Sequence, residues 1–132
     1  RFEGYIGINN HMGSRFTQHE AGMALMMKEL RKRGLIFLDS LTVRDSVSAT
    51  VAKRYGVPYI VRDVFIDHVP KKEQVFANLD ELERIARVKG RAVGIAHPHR
   101  ETLDALAAWL PKMESRGLRL VPLSALINNS AY

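Results

Sequence analysis

Four short polar clusters in this 132-residue chain carry side chains able to do chemistry: Asn9-Asn10-His11 with Ser14, Asp39-Ser40, Arg62-Asp63, and His97-Pro98-His99. The last has the most restrictive pattern. Pro98 keeps His97 extended, so two imidazoles alternate in fixed directions. Neutral imidazole ligates zinc and similar divalent ions, and one nearby carboxylate completes a mixed site. His11, directly after an apolar run, is either a ligand or a hydrogen-bonded structural residue. Asp39 and Asp63 can be metal ligands, orienting partners for a histidine, or caps on the helices that follow. Asp63 can also simply pair with Arg62. His19 and His68 are expected at the surface.

Several motifs are absent. There is no His-x-x-x-His or His-Glu-x-x-His helix motif, so the metal reading rests on distant residues converging. Ser14 and Ser40 lack the Gly-x-Ser-x-Gly elbow of a serine nucleophile, and no glycine-rich loop is built to cradle a phosphate.

The elements that must position these groups follow from the apolar patterning. Tyr5–Ile8, Leu35–Leu38, Tyr59–Val61, Ala92–Ala96 and Leu118–Val121 read as strands. Between them, helices are expected from about 18 to 33, 43 to 55, 71 to 88 and from 100 onward. Thr17-Gln18-His19-Glu20 matches a capping box for the first, and Pro70 suits the first turn of the third. The buried stripes are expected to be Met23, Met26, Met27 and Leu30; Val47, Val51, Ala49 and Ala52; Leu79, Leu82, Ile85 and Ala86; and Leu103, Leu106 and Leu110 with Trp109. Val64–His68 is expected to continue extended or to loop over a sheet edge. Residues 128–132 are expected to fray.

Strand–helix repetition of this kind predicts an α/β fold with a parallel sheet. In such folds the strand ends lie on one face. All four polar clusters fall at strand ends, so they should converge there.

Composition narrows the class. Hydrophobic residues make up 46% and charged residues 26%, which fits a single globular domain over 1–132 and not a disordered chain. No apolar run approaches the ~20 residues of a membrane-spanning helix. Cysteine is absent, which removes disulfides and thiolate metal sites. The net charge of +6 does not point to nucleic acid. Basic residues recur just before Gly34, Gly56, Gly90 and Gly117, where they offset the negative ends of helix dipoles.

Taken together, Asn9-Asn10-His11-Met12-Gly13-Ser14, Phe37-Leu38-Asp39-Ser40, Arg62-Asp63-Val64-Phe65-Ile66-Asp67 and Gly94-Ile95-Ala96-His97-Pro98-His99-Arg100-Glu101-Thr102 resemble the divergent polysaccharide deacetylase family. That family is an outlying branch of the metal-dependent carbohydrate esterases. The resemblance implies the later part of a distorted (β/α)7-type barrel, about five parallel strands alternating with helices, with N-terminal strands lacking from this chain. It also implies an extracytoplasmic setting in a bacterium, the periplasm or cell envelope.

In activity, the resemblance implies hydrolysis of N-acetyl groups of a cell-envelope glycan, with a divalent metal, zinc, polarising the amide carbonyl and activating water. His11 falls in the metal-histidine motif and His97 on the strand-end histidine that acts as general acid. His99 is a possible spatial substitute for a second metal histidine, because Arg15 stands where the parent motif has one. Asp63 resembles the aspartate that orients the acid. Asn9, Asn10, Ser14, Asp39 and Arg62 are candidates to contact the carbohydrate. The alternative is a catalytically silent envelope domain that binds glycan or a partner protein. An open barrel would also expose strand edges, making a homodimer or association with the missing N-terminal part an expectation.

Overall fold

A computed structural model describes residues 3–127. The chain forms two compact units, residues 3–61 with 123–127 and residues 62–122. Both are mixed α/β with parallel pairing, the predicted class.

In the first unit, β1 (Gly7–Asn9), β2 (Ile36–Asp39) and β3 (Tyr59–Val61) form a parallel sheet in that order. The crossovers run through α1 (Ser14–Thr17) with α2 (Glu20–Arg33), and through α3 (Ser48–Tyr55). Met23, Met27 and Leu30 of α2, Val51 and Ala52 of α3, and Phe37 of β2 make one core, with Met26 and Val47 packed against it. The methionine stripe is therefore core packing, as its spacing indicated. The rings of Phe37 and Tyr59 stack beside it, 6.1 Å apart.

Gly7 is fixed by close approach. A Cβ there would lie 2.7 Å from the carbonyl oxygen of Ile36 on the paired strand, and backbone cannot yield as a side chain can.

In the second unit, β4 (Val64–Phe65) pairs in parallel with β5 (Gly94–Ile95), Val64 opposite Gly94 and Phe65 opposite Ile95. α4 (Lys72–Lys89) crosses between them and α5 (Arg100–Trp109) follows β5. Val64, Ile66, Val75, Leu79, Ala105 and Trp109 form this unit's core, with Leu82 and Ile85 packed against it.

Four helices end on Gly34, Gly56, Gly90 and Gly117 in the left-handed conformation, each with a basic residue in its last turn. The charge pattern thus has its expected dipole-compensating placement. Among the described residues no helix is long and apolar enough to cross a membrane.

Several local expectations are corrected. Leu118–Val121 is not a strand: the Leu118 N–H closes back on the Met113 carbonyl at 3.0 Å, and Leu120 is exposed. The fifth strand is instead Val64–Phe65, so among the described residues the sheets have three and two strands and neither closes. Thr17 does not cap α2, because it ends α1 and its hydroxyl donates to the Ser14 carbonyl at 3.1 Å. The cap is His19, whose Nδ1 accepts from the Gly22 N–H at 3.0 Å. Residues 43–47 lie outside α3, and Ala49 is exposed. Pro70 precedes the N-cap of α4, Lys71. On α5 the buried face is Thr102, Ala105 and Trp109, one residue away from the leucine stripe, and Leu103 and Leu110 are exposed. α5 then passes into a 3-10 turn at Leu110–Lys112, where Pro111 cannot continue an α-helix. Residues 128–132, expected to fray, lie outside the described residues.

Candidate active site at the ends of β4 and β5

Counting two residues past the paired positions Phe65 and Ile95 leads to Asp67 and His97. The parallel register therefore sets a carboxylate opposite an imidazole. Asp67 is 3% exposed, and its oxygens take three partners. Oδ2 accepts the His97 backbone N–H at 2.6 Å and the Thr102 hydroxyl at 2.9 Å. Oδ1 lies 3.2 Å from His97 Nδ1.

His97 supplies two of these contacts and α5 the third. α5 turns Thr102 inward. The Asn78 amide of α4 donates to the Ile66 carbonyl at 2.8 Å, which fixes the chain just before Asp67. Burial alone pushes the Asp67 carboxyl upward, but the His97 backbone N–H, the Thr102 hydroxyl and the His97 ring together hold it below the ordinary aspartate value. An ionised Asp67 can only accept, so the bond to His97 is made by Nδ1–H.

Rings gather around His97. Phe65 lies 5.4 Å away and His99 5.5 Å, while His68 lies 5.7 Å from Phe65. The Arg62 guanidinium sits 5.5 Å from the Phe65 ring on its other contact. One ligand atom each from Asp67, His97 and His99 lies within 4.8 Å of the others. Donors on a single zinc ion, each about 2.0–2.2 Å from it, stand about 3–4 Å apart, so the three groups would draw slightly closer around an ion. Two imidazoles and a carboxylate are also a suitable chemical set. The three residues could hold a metal ion.

Of the residues expected from sequence, His97 and His99 fall in this group. Asp63 does not face His97: it accepts the Val93 N–H at 2.9 Å and the Lys89 ammonium at 2.9 Å. The carboxylate hydrogen-bonded to His97 is Asp67, which the residue types alone did not single out.

The other candidates collect in the first unit, where the ends of β1 and β2 also converge. The Asn10 side-chain oxygen accepts the Ser40 N–H at 2.7 Å, and the Asn9 amide donates to the Ser40 hydroxyl at 3.2 Å. Ser14 bonds Thr42 at 3.3 Å. His11 is exposed beside Asn9 and Asn10 along a shallow cavity of about 210 Å³ walled by Met12, Phe16 and Phe37. Asp39 is fully buried, on the same face of β2 as Phe37, and a buried carboxylate must be hydrogen-bonded. It accepts the Leu41 N–H at 2.7 Å, the Ser46 hydroxyl at 2.8 Å and the Tyr59 hydroxyl at 3.1 Å. Burial, and then the charge of Asp39, raise the pKa of the Tyr59 hydroxyl well above its ordinary value.

A buried aspartate thus stands behind a strand-end histidine in a parallel α/β chain. The divergent polysaccharide deacetylase model matches residues 1–127, and the chain belongs to that family. It is 33% identical over 123 residues to the uncharacterised protein YibQ of Escherichia coli, covering 93% of this chain and 38% of that one. An uncharacterised Haemophilus influenzae protein is 35% identical over 124 residues, 94% of this chain and 44% of the other. The crystal structure of an uncharacterised Agrobacterium tumefaciens protein superimposes with a TM-score of 0.91 at 35% identity, over 93% of this chain and 50% of that one. The chain thus spans half or less of these relatives' length.

Proposed function

We propose that this protein is a metal-dependent deacetylase-like hydrolase that removes N-acetyl groups from a polysaccharide of the bacterial cell envelope, with His97 as the side chain that carries the proton. The Asp67–His97 hydrogen bond is the observation that carries this reading. A carboxylate behind Nδ1 holds one tautomer, directs Nε2 away from the pair and stabilises the imidazolium that forms when Nε2 takes a proton. From Nε2 the proton passes to the departing amine nitrogen, which could not leave as an anion. Phe65, beside the ring, restricts its rotation. In this reading His99, and not His97, would help to hold a divalent metal such as zinc, which would polarise the acyl carbonyl and lower the pKa of water.

A second reading rests on the clustering of Asp67, His97 and His99. In it these residues hold the metal and His97 is a ligand. One Nε2 cannot bind an ion and hand over a proton at the same moment, so the readings separate experimentally.

The test is acetate release from an N-acetylglucosamine oligosaccharide in the presence of zinc, with bound zinc measured in parallel. The first reading predicts that His97→Ala loses at least about a hundredfold in rate while retaining zinc. Zinc lost together with activity assigns His97 to the metal. A wild-type protein that binds zinc and releases no acetate overturns the hydrolase reading and leaves a glycan-binding envelope domain in its place.

A further inference from the structure

We propose that Thr102 is a positioning residue for His97, acting through Asp67 to select the ring tautomer. The inference rests on the reading of His97 as the proton-carrying side chain. Thr102 is 1% exposed, and its hydroxyl donates to Asp67 Oδ2 at 2.9 Å. A threonine in a first helical turn ordinarily bonds its own backbone neighbours. Here the hydroxyl reaches a residue 35 positions away.

The geometry explains the consequence. The terminal torsion of an aspartate is broad and weakly restrained, so the carboxylate plane is set by its hydrogen bonds. Two donors, the Thr102 hydroxyl and the His97 backbone N–H, converge on Oδ2. They commit that oxygen and leave Oδ1 to face His97 Nδ1 at 3.2 Å. With Thr102 removed, Oδ2 keeps one donor and the plane can turn. Oδ1 then no longer fixes the proton on Nδ1, and the ring relaxes toward the mixture of tautomers found in an unrestrained imidazole. The backbone of α5 is anchored independently by Ala105 and Trp109, both in the core of the second unit. The hydroxyl can therefore be removed without moving the helix.

The experiment uses protein labelled with ¹⁵N at histidine, with the His97 ring nitrogens observed by NMR at fixed neutral pH. The wild-type ring is expected as the Nδ1–H tautomer. Thr102→Val, which keeps the shape and deletes the donor, is expected to shift population toward Nε2–H. It should also lower kcat for acetate release about tenfold, with KM within about twofold. Thr102→Ser keeps the donor and is expected to match wild type in both. An unchanged tautomer in Thr102→Val overturns the inference, as does loss of the tautomer in Thr102→Ser. Should Thr102→Val fail to fold, the wild-type protein still decides: a slowly exchanging Thr102 hydroxyl proton supports the bond to Asp67, and a freely exchanging one overturns it. A tautomer shift in Thr102→Val together with a wild-type protein that releases no acetate refutes the hydrolase reading and supports the positioning inference.

Discussion

Replacing Asp67 by Asn isolates the charge of the buried carboxylate from its shape. In the native protein Asp67 accepts three hydrogen bonds while 3% exposed. Bonds to an ionised partner contribute about 1.5–3 kcal/mol each and neutral ones about 0.5–1.5. Asn keeps an acceptor for the His97 N–H and the Thr102 hydroxyl, so each of those bonds weakens by about 1 kcal/mol. Its amide meets His97 Nδ1 with a donor, which forces the ring to the other tautomer. The expected loss at neutral pH is about 2–3 kcal/mol, a large part of the 5–15 kcal/mol typical of a domain.

The pH dependence has a definite sign. The folded pKa of Asp67 lies below its ordinary value, so its stabilisation is present above about pH 4, the unfolded value. It is lost as pH falls through the folded pKa. Urea unfolding followed by the fluorescence of Trp109, the single tryptophan, reports on the same unit. The gap between wild type and Asp67→Asn should hold from about pH 5 to 7 and narrow below about pH 4. A gap under about 0.5 kcal/mol at pH 7, or one that persists unchanged to pH 3, refutes the reasoning.

Other perturbations test the packing. Gly7→Ala drives a Cβ against the Ile36 carbonyl and should cost about 1–3 kcal/mol in thermal or urea unfolding. Leu103→Ser on the exposed face of α5 should change stability by less than about 0.5 kcal/mol, whereas Trp109→Ala on its buried face should cost about 3–5; the reverse ranking would restore the leucine stripe as the core. Tyr59→Phe removes the tyrosine hydroxyl that donates to Asp39 alongside Leu41 and Ser46 and should cost about 1–2 kcal/mol in urea unfolding. In the wild type, Tyr59 should ionise above the ordinary tyrosine range in an alkaline absorbance titration, because burial and Asp39 both oppose its charge.

Much of this fold is legible in the sequence where the signal is local. The methionine stripe, the apolar strands at 36–39 and 59–61, and the basic residues before each terminal glycine all depend on near neighbours. The errors come from long-range partners. Leu118–Val121 has strand-like residues, but among the described residues no strand pairs with it to complete a ladder. α5 is turned by one residue because Ala105 and Trp109 fill the core of the second unit, which leaves Leu103 exposed and Thr102 facing Asp67. Asp67 itself lies past a two-residue strand whose sequence fits an extended run and a loop equally well. Its signal is the register: with Val64–Phe65 aligned to Gly94–Ile95, Asp67 and His97 stand at equal distances beyond the pair. Asp63, the nearer aspartate, instead caps the strand by bonding Val93 and Lys89.

The proposed chemistry depends on Asp67 and His97 acting as one unit, and a double-mutant cycle on acetate release from an N-acetylglucosamine oligosaccharide addresses that directly. Asp67→Asn alone should lower kcat by about 10–100-fold. In a His97→Ala background the same substitution should change the residual rate by less than about twofold, because the ring it orients is gone. Losses that multiply, with Asp67→Asn costing as much without His97 as with it, would contradict the pairing and require another role for the carboxylate.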